Sequence, residues 1–121
     1  MNSQVPRDDG AWPITVDVRR YPDGRRVVEV NGELLRGTVA TMHRVVATEL
    51  TREPAVLALD LAGITRIDAA GVDALVSAAF LAGEADISFC LVGVHRGPVG
   101  AALADGGWME LFEIFQSAAE A

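Results

Sequence analysis

Residues 57–76, LALDLAGITRIDAAGVDALV, carry the strongest structural signal in the chain. An apolar run of strand length ends in a more polar loop, and an alanine-rich helical pattern begins directly after Asp68. Aspartate is a good N-cap, because its side chain accepts hydrogen bonds from the free N–H groups of the first helical turn. The stretch therefore predicts a buried strand that leads into a capped helix. Such an exposed helix start at the end of a strand is a common binding place for a ligand or partner.

The rest of the chain alternates between strand and helix patterns. This order predicts an α/β fold with a mixed sheet of four to five strands, parallel after an opening hairpin, and about four helices. We expect one domain over residues 13–121, preceded by a flexible lead-in over residues 1–12. The predicted elements are a hairpin over 14–31 that Gly32 ends, a helix over 38–51 capped by Thr38, a strand over 55–61, a loop over 62–67, a helix over 69–83 stopped by Gly83, a strand over 87–92, a short helix over 98–104, a strand over 111–115 and a final helical turn over 117–121.

The composition argues against several classes of partner. The 121 residues carry a net charge of −7, and all ten Lys or Arg positions hold arginine. This negative charge disfavours nucleic acid and an anionic membrane surface as direct partners. Half of the residues are hydrophobic, which is enough for a core at this length. No apolar run reaches the roughly 18 residues of a membrane span, so we expect a cytoplasmic protein.

Few residues suggest catalysis or metal binding. Cys90 lies in an apolar run, which is typical of a buried, unreactive side chain. His43 and His95 have no carboxylate or cysteine at metal-ligand spacing. Asp60 and Asp68 lie near strand ends, but no nucleophile or set of oxyanion donors accompanies them. The sequence therefore predicts a protein that is not an enzyme and that has no cofactor and no metal site.

The helix after Asp68 has an unusual outer face. Its predicted core stripe consists of Val72, Leu75, Val76, Ala79 and Phe80. The remaining positions carry a single charge, whereas a solvated helix face normally carries several. Small and apolar side chains allow another backbone to approach closely, which favours a protein interface. Two alternatives stay open: a loop or the C-terminal tail covers this face, or the alanines only follow genomic composition.

Three motifs point to a known family. Residues 59–72 read LDLAGITRIDAAGV, residues 32–35 read GELL, and residues 91–94 read LVGV ahead of a proline-led helix. Together they resemble the STAS domain family, and within it the stand-alone anti-sigma factor antagonists, whose central pattern is Leu-Asp-Leu-Ser-Gly-Val-x-x-Ile-Asp-Ser-Ser-Gly-Leu. The resemblance covers about residues 14–121. It implies a regulatory module that binds a protein partner, an anti-sigma factor of the histidine-kinase-like ATPase fold.

Three positions depart from the family pattern. The serine that follows the aspartate in the family is phosphorylated by the anti-sigma factor, and the corresponding residue here is Ala69. The next serine corresponds to Ala70, and an aspartate close to the phosphorylated serine corresponds to Leu35. The resemblance therefore implies a module that is not switched by phosphorylation at Ala69. Thr65 or Ser77 stays open as a substitute acceptor.

We expect the partner to contact the start and the outer face of the helix after Asp68. Two other functions stay open. One is a STAS subunit of a larger assembly, such as an ABC-type lipid transporter or a multi-protein signalling scaffold. The other is a small anion held at the helix start by its free N–H groups. The predicted partner-binding residues are Asp68, Ala69, Ala70, Gly71, Asp73, Ala74, Ser77, Ala78 and Leu81.

Overall fold

A mixed sheet of five strands in chain order forms the centre of the fold. The structure, a computed structural model, describes residues 13–95 and 97–117. The first two strands pair antiparallel as a hairpin, and the following pairs are parallel. The elements are β1 (Ile14–Arg20), β2 (Arg25–Leu34), α1 (Val39–Leu50), β3 (Val56–Ile67), α2 (Ala69–Glu84), β4 (Ser88–Val92), α3 (Pro98–Asp105), a 3₁₀ turn (Met109–Leu111) and β5 (Glu113–Phe115).

This architecture confirms the predicted α/β class, the opening hairpin and the parallel strands that follow it. The described residues contain three α-helices and one 3₁₀ turn. The expected lead-in over residues 1–12 and all but the first residue of the final helical turn lie outside the described residues. No helix in the described ranges is long and apolar enough to cross a membrane.

Both faces of the sheet are buried at its centre. Leu57, Leu59 and Leu61 of β3 belong to a large core cluster that includes side chains from α1, α2 and α3. The alternate residue Ala58 joins Cys90 in a smaller cluster on the other face. Because successive strand residues point to opposite faces, burial of both faces explains the near-continuous apolar run of β3.

The strand β3 extends further than its sequence pattern indicates. Residues 62–67, which we predicted as a loop, continue the strand to Ile67 and pair with the end of β2. The β2 strand likewise passes Gly32, the predicted end of the hairpin, and continues to Leu34. Register shifts interrupt the pairing of these two ends, and Gly32 adopts a φ of +108°. Tertiary pairing therefore makes this stretch a strand although its own local preference for strand is weak.

The core face of α2 is the predicted one except at Phe80: Val72 and Leu75 are buried, and Val76 and Ala79 are half-buried against the core. Phe80, which we assigned to the core, is 64% exposed, whereas Ala78 and Ala82 are buried. The small alanines allow the helix to lie close to its neighbours, which turns the large Phe80 side chain outward. The helix also continues past Gly83, its predicted stop, to Glu84.

A buried carboxylate joins the C-terminal part of α1 to the hairpin. The Glu49 side chain is 4% exposed, and its Oε2 lies 2.9 Å from a guanidinium nitrogen of Arg20. Its Oε1 lies 3.5 Å from Nε of Arg26, and Arg52 approaches Oε2 at 3.8 Å. Three guanidinium groups therefore compensate one desolvated negative charge.

Candidate functional site

The candidate site forms where β2 and β3 end and α2 begins. The backbone N–H of Asp68 donates to the carbonyl oxygen of Leu34 at 3.3 Å. Oδ1 of Asp68 accepts the N–H of Gly71 at 2.9 Å, which confirms the predicted N-cap. Oδ2 accepts the N–H of Arg36 at 3.0 Å. The N–H donors of Arg36 and then Gly71 hold the pKa of the Asp68 carboxyl below its usual value.

The start of α2 packs directly on the end of β2. A Cβ atom at Gly71 would overlap the carbonyl oxygen of Leu34 and would lie 2.6 Å from Cγ1 of Ile67. Only glycine permits this close approach, so its place in the sequence motif has a packing reason. Gly71 is itself buried, which removes it from the surface that a partner can touch.

The loop between β2 and α1 borders the site. Thr38 precedes α1, as predicted, but its side chain does not cap that helix. Its hydroxyl instead donates to the carbonyl oxygen of Glu33 at 2.6 Å and accepts the N–H of Leu35 at 2.9 Å. These bonds hold the loop in a tight turn, and the Arg36–Asp68 bond fastens it to α2.

Two grooves flank the N-terminal half of α2. The first, here called the α2–α3 groove, has a volume of about 320 Å³ and includes Ala69. The second, the α1–α2 groove, has a volume of about 280 Å³ and includes Ala70. Asp73 lines both grooves and forms the ridge between them. The α2–α3 groove is lined by Ile67, Asp68, Ala69, Val72, Asp73, Ala102, Gly106 and Trp108, and the α1–α2 groove by Val39, Ala40, His43, Ala70, Asp73, Ala74 and Ser77.

The predicted partner-binding residues divide by accessibility. Most of them reach the surface, and several line one of the two grooves. Ala78 is buried in the core and, like Gly71, cannot contact a partner directly. The exposed residues are Asp68, Ala69, Asp73 and Ser77, and the half-buried ones are Ala70, Ala74 and Leu81.

Sequence reasoning missed the residues that other elements bring to α2. Trp108 follows α3 and is 38% exposed, yet it lines the α2–α3 groove beside Ala69. His43 of α1, considered only as a metal or catalytic residue, lines the α1–α2 groove. No local pattern places these residues against α2, because they depend on the packing of separate helices. The sequence offers one signal for Trp108. Two glycines precede it, and because glycines have no side chains they leave a neighbouring large side chain uncovered.

The titratable groups near the sheet edge have structural roles. Burial raises the pKa of the Cys90 thiol to about 11, which leaves it protonated and unreactive at neutral pH. Oδ1 of Asp60 accepts the N–H of Ala62 at 3.2 Å, inside its own strand. Within residues 13–95 and 97–117, no group of three or more His, Cys, Asp or Glu side chains has the arrangement of a metal site.

The sequence matches one protein family over almost its full length. The STAS domain family matches residues 15–121. The chain belongs to the STAS domain family. No curated protein matches the chain.

Solved structures share this STAS fold. An anti-sigma factor antagonist from Mycobacterium paratuberculosis is 23% identical, with 88% of this chain and 89% of that one covered and a TM-score of 0.78. A sulfate transporter family protein from Wolinella succinogenes is 24% identical, with 85% of each chain covered and a TM-score of 0.72. The Bacillus cell fate determinant SpoIIAA, solved in a phosphorylated form, is 11% identical, with 88% and 95% covered and a TM-score of 0.67. At these identities the likeness establishes the fold alone.

Proposed function

We propose that this STAS domain is a non-enzymatic binding module of the anti-sigma factor antagonist type, acting in the cytoplasm. It binds an anti-sigma factor of the histidine-kinase-like ATPase fold through the exposed face of α2 and thereby releases a sigma factor. The observation that carries this proposal is the surface of α2. Between Ala69 and Ala82 the helix has one charged residue, Asp73, although grooves leave both of its flanks accessible.

The shape of this surface suits a protein partner. Ala70, Ala74 and Ser77 form a low strip beside α1, and their small side chains let a partner backbone come close. A face without long charged side chains also loses little solvation when it is covered. Side chains of the partner can insert into the two flanking grooves.

We further propose that phosphorylation does not control this module at the start of α2. A phosphoserine would add about −1.5 to −2 charges at this surface. Covered by a partner, that charge would lose solvation and displace the apolar contact at this position, and each ~1.4 kcal/mol of binding free energy lost weakens affinity tenfold. Ala69 and Ala70 have no hydroxyl to accept a phosphoryl group. Control then lies elsewhere, for example in the abundance of the protein.

A second function has specific support. The likeness to a sulfate transporter family protein from Wolinella succinogenes covers 85% of that chain, so a transporter-associated chain has the same fold. The chain could therefore be a STAS subunit of a transporter or of a signalling scaffold, and the same α2 face would then contact another subunit.

The two functions are separated by identifying the partner. The tagged full-length chain is used to capture proteins from its native host, and mass spectrometry identifies them. The first proposal predicts an anti-sigma factor of the ATPase fold, lost with Ala74→Arg or Ser77→Arg. The control is Ala101→Arg, which places the same charge on an exposed position of α3 outside both grooves. Capture of a transporter subunit or of a signalling-scaffold protein supports the second function and contradicts the first. Equal capture by all three arginine variants contradicts the proposed interface.

A further inference from the structure

We propose that the α2–α3 groove is a specificity pocket that receives an arginine or lysine side chain of the partner together with an adjacent apolar side chain. The identity of that partner rests on the proposed function, but the pocket chemistry does not. The groove combines an apolar wall with two carboxylates at one helix start, so it fits a segment that presents both kinds of side chain.

The apolar wall is built from three separate elements. Val72 and Ala69 come from α2, Ala102 comes from α3, and Trp108 comes from the segment before the 3₁₀ turn. The Trp108 backbone is fixed, because its N–H donates to the carbonyl oxygen of Leu103 at 2.8 Å. A tryptophan with an anchored backbone that is still 38% exposed presents a large apolar surface to a partner.

The charges that line the groove have one sign. Asp68 and Asp73 both line it, and neither carboxylate forms an ion pair with any residue of the described ranges. Arg36 binds Asp68 through its backbone N–H, which leaves the negative charge of the carboxylate in place. Asp105 directly precedes the lining residue Gly106. A cationic side chain complements these carboxylates and can also stack on the Trp108 ring.

The position of Ala69 strengthens this preference. Ala69 lines the α2–α3 groove, whereas Ala70 lines the α1–α2 groove. A methyl group at Ala69 keeps the floor of the pocket apolar beside Trp108. Because Ala69 cannot be phosphorylated, the floor of the pocket stays apolar and its charge stays that of Asp68 and Asp73. Its preference for a cation therefore does not depend on modification at Ala69.

The pocket chemistry is tested with the full chain and two peptides. The chain has two tryptophans, so Trp12→Phe leaves Trp108 as the only tryptophan reporter. One probe is an amphipathic helical peptide of about 15 residues with arginine and leucine on one face, and the other replaces each arginine by glutamate. We expect the arginine peptide to shift Trp108 emission, less so at high salt, and the glutamate peptide to cause no shift. An equal response to both peptides would overturn the proposal.

Matched variants locate the binding. Ala102→Arg fills the groove with a positive charge and should weaken the arginine peptide about tenfold or more, while Ala101→Arg, outside the groove, should not. Asp73→Asn should weaken it, while Glu84→Gln at the other end of α2 should not. Equal effects within either pair would overturn the proposal. Light scattering must show a monomer at the working concentration, because self-association that shields Trp108 would also overturn it.

The protein partner separates this inference from the proposed function. With a captured anti-sigma factor, Trp108→Ala should weaken binding about tenfold or more, as loss of a buried aromatic anchor does. Leu111→Ala is the matched control, since Leu111 is 44% exposed, lies outside α2 and lines neither groove. If the anti-sigma factor binds Trp108→Ala and Ala102→Arg as well as the unaltered chain, the pocket is wrong and the proposed function stands. If no anti-sigma factor is captured but the peptide response holds, the pocket stands and the proposed function fails.

Discussion

The carboxylate of Asp68 accepts the backbone N–H of Arg36 at 3.0 Å, across 32 positions of the sequence. The same carboxylate caps α2 through Gly71. A single side chain therefore holds the loop after β2 against the start of α2, which is the region that we propose to contact a partner.

Replacing Asp68 by asparagine should lower the thermal midpoint by several degrees at pH 7. The asparagine oxygen still caps Gly71, but the amide NH₂ cannot accept the N–H of Arg36. Because folding lowers the pKa of Asp68, its contribution is present above the ordinary value of 3.8 and is lost as the pH falls through the lower folded value. The difference between the thermal midpoints of the two proteins should therefore be smaller at pH 3 than at pH 7. Asp73→Asn is the control. A difference in thermal midpoint between the unaltered chain and Asp68→Asn that grows in acid would contradict a stabilising role of the Asp68 carboxylate.

Two glycines of α2 should respond oppositely to alanine. Gly71→Ala should lower the free energy of unfolding by about 1–3 kcal/mol, because the new methyl group overlaps the carbonyl oxygen of Leu34. Gly83→Ala should raise it by about 0.5–1 kcal/mol, because a Cβ there meets no atom within 4 Å and alanine favours a helix. Urea unfolding measures both. Stabilisation by Gly71→Ala would show that α2 does not pack on β2 this closely.

The buried carboxylate of Glu49 should matter more than an exposed one. Glu49→Gln removes the charge that faces Arg20 and the mostly buried Arg26, and we expect a loss of about 2 kcal/mol in the free energy of unfolding. Glu33→Gln, whose ion pair with Arg66 is exposed, should cost less than about 0.5 kcal/mol. Similar losses in urea unfolding would mean that the Glu49 cluster is not a structural link.

The fold was predictable where local patterns and tertiary packing agree. The apolar run of β3, the cap at Asp68 and the hairpin all have short-range signals, and the structure confirms them. The extension of β3 to Ile67 had no such signal, because pairing with the end of β2 holds it in place. One core residue of α2 was predicted wrongly for a related reason: size and hydropathy favour Phe80 over Ala78 in a core, but close packing selects the smaller side chain.

The candidate site was predictable only on its own helix. The sequence identified the sparsely charged face of α2, and the structure places Ala70, Asp73, Ala74 and Ser77 along an accessible groove. The opposite wall of each groove comes from α1, or from α3 and Trp108, at distant positions in the chain. Their placement depends on how helices pack across the sheet, which no local periodicity encodes.

Charge at position 69 should control binding. Ala69→Glu puts a longer, charged side chain on the apolar floor of the α2–α3 groove, where it displaces the apolar side chain of the partner and loses solvation, so affinity for an anti-sigma partner should fall about tenfold or more. Ala101→Glu carries the same charge on exposed α3 and should bind normally. Ala69→Ser should bind normally without ATP and lose affinity with ATP, if the partner is a kinase. Calorimetry measures these affinities, and full binding by Ala69→Glu would contradict a partner contact there.

Binding that phosphorylation does not reverse is tested most directly by a time course of the complex with ATP. The unaltered chain and its anti-sigma partner are incubated with ATP and Mg²⁺, while affinity and intact mass are followed together. We predict constant affinity and no mass gain on the chain over the whole course. Release of the partner together with a mass gain of one phosphate, whether at Thr65, at Ser77 or elsewhere, would contradict this prediction.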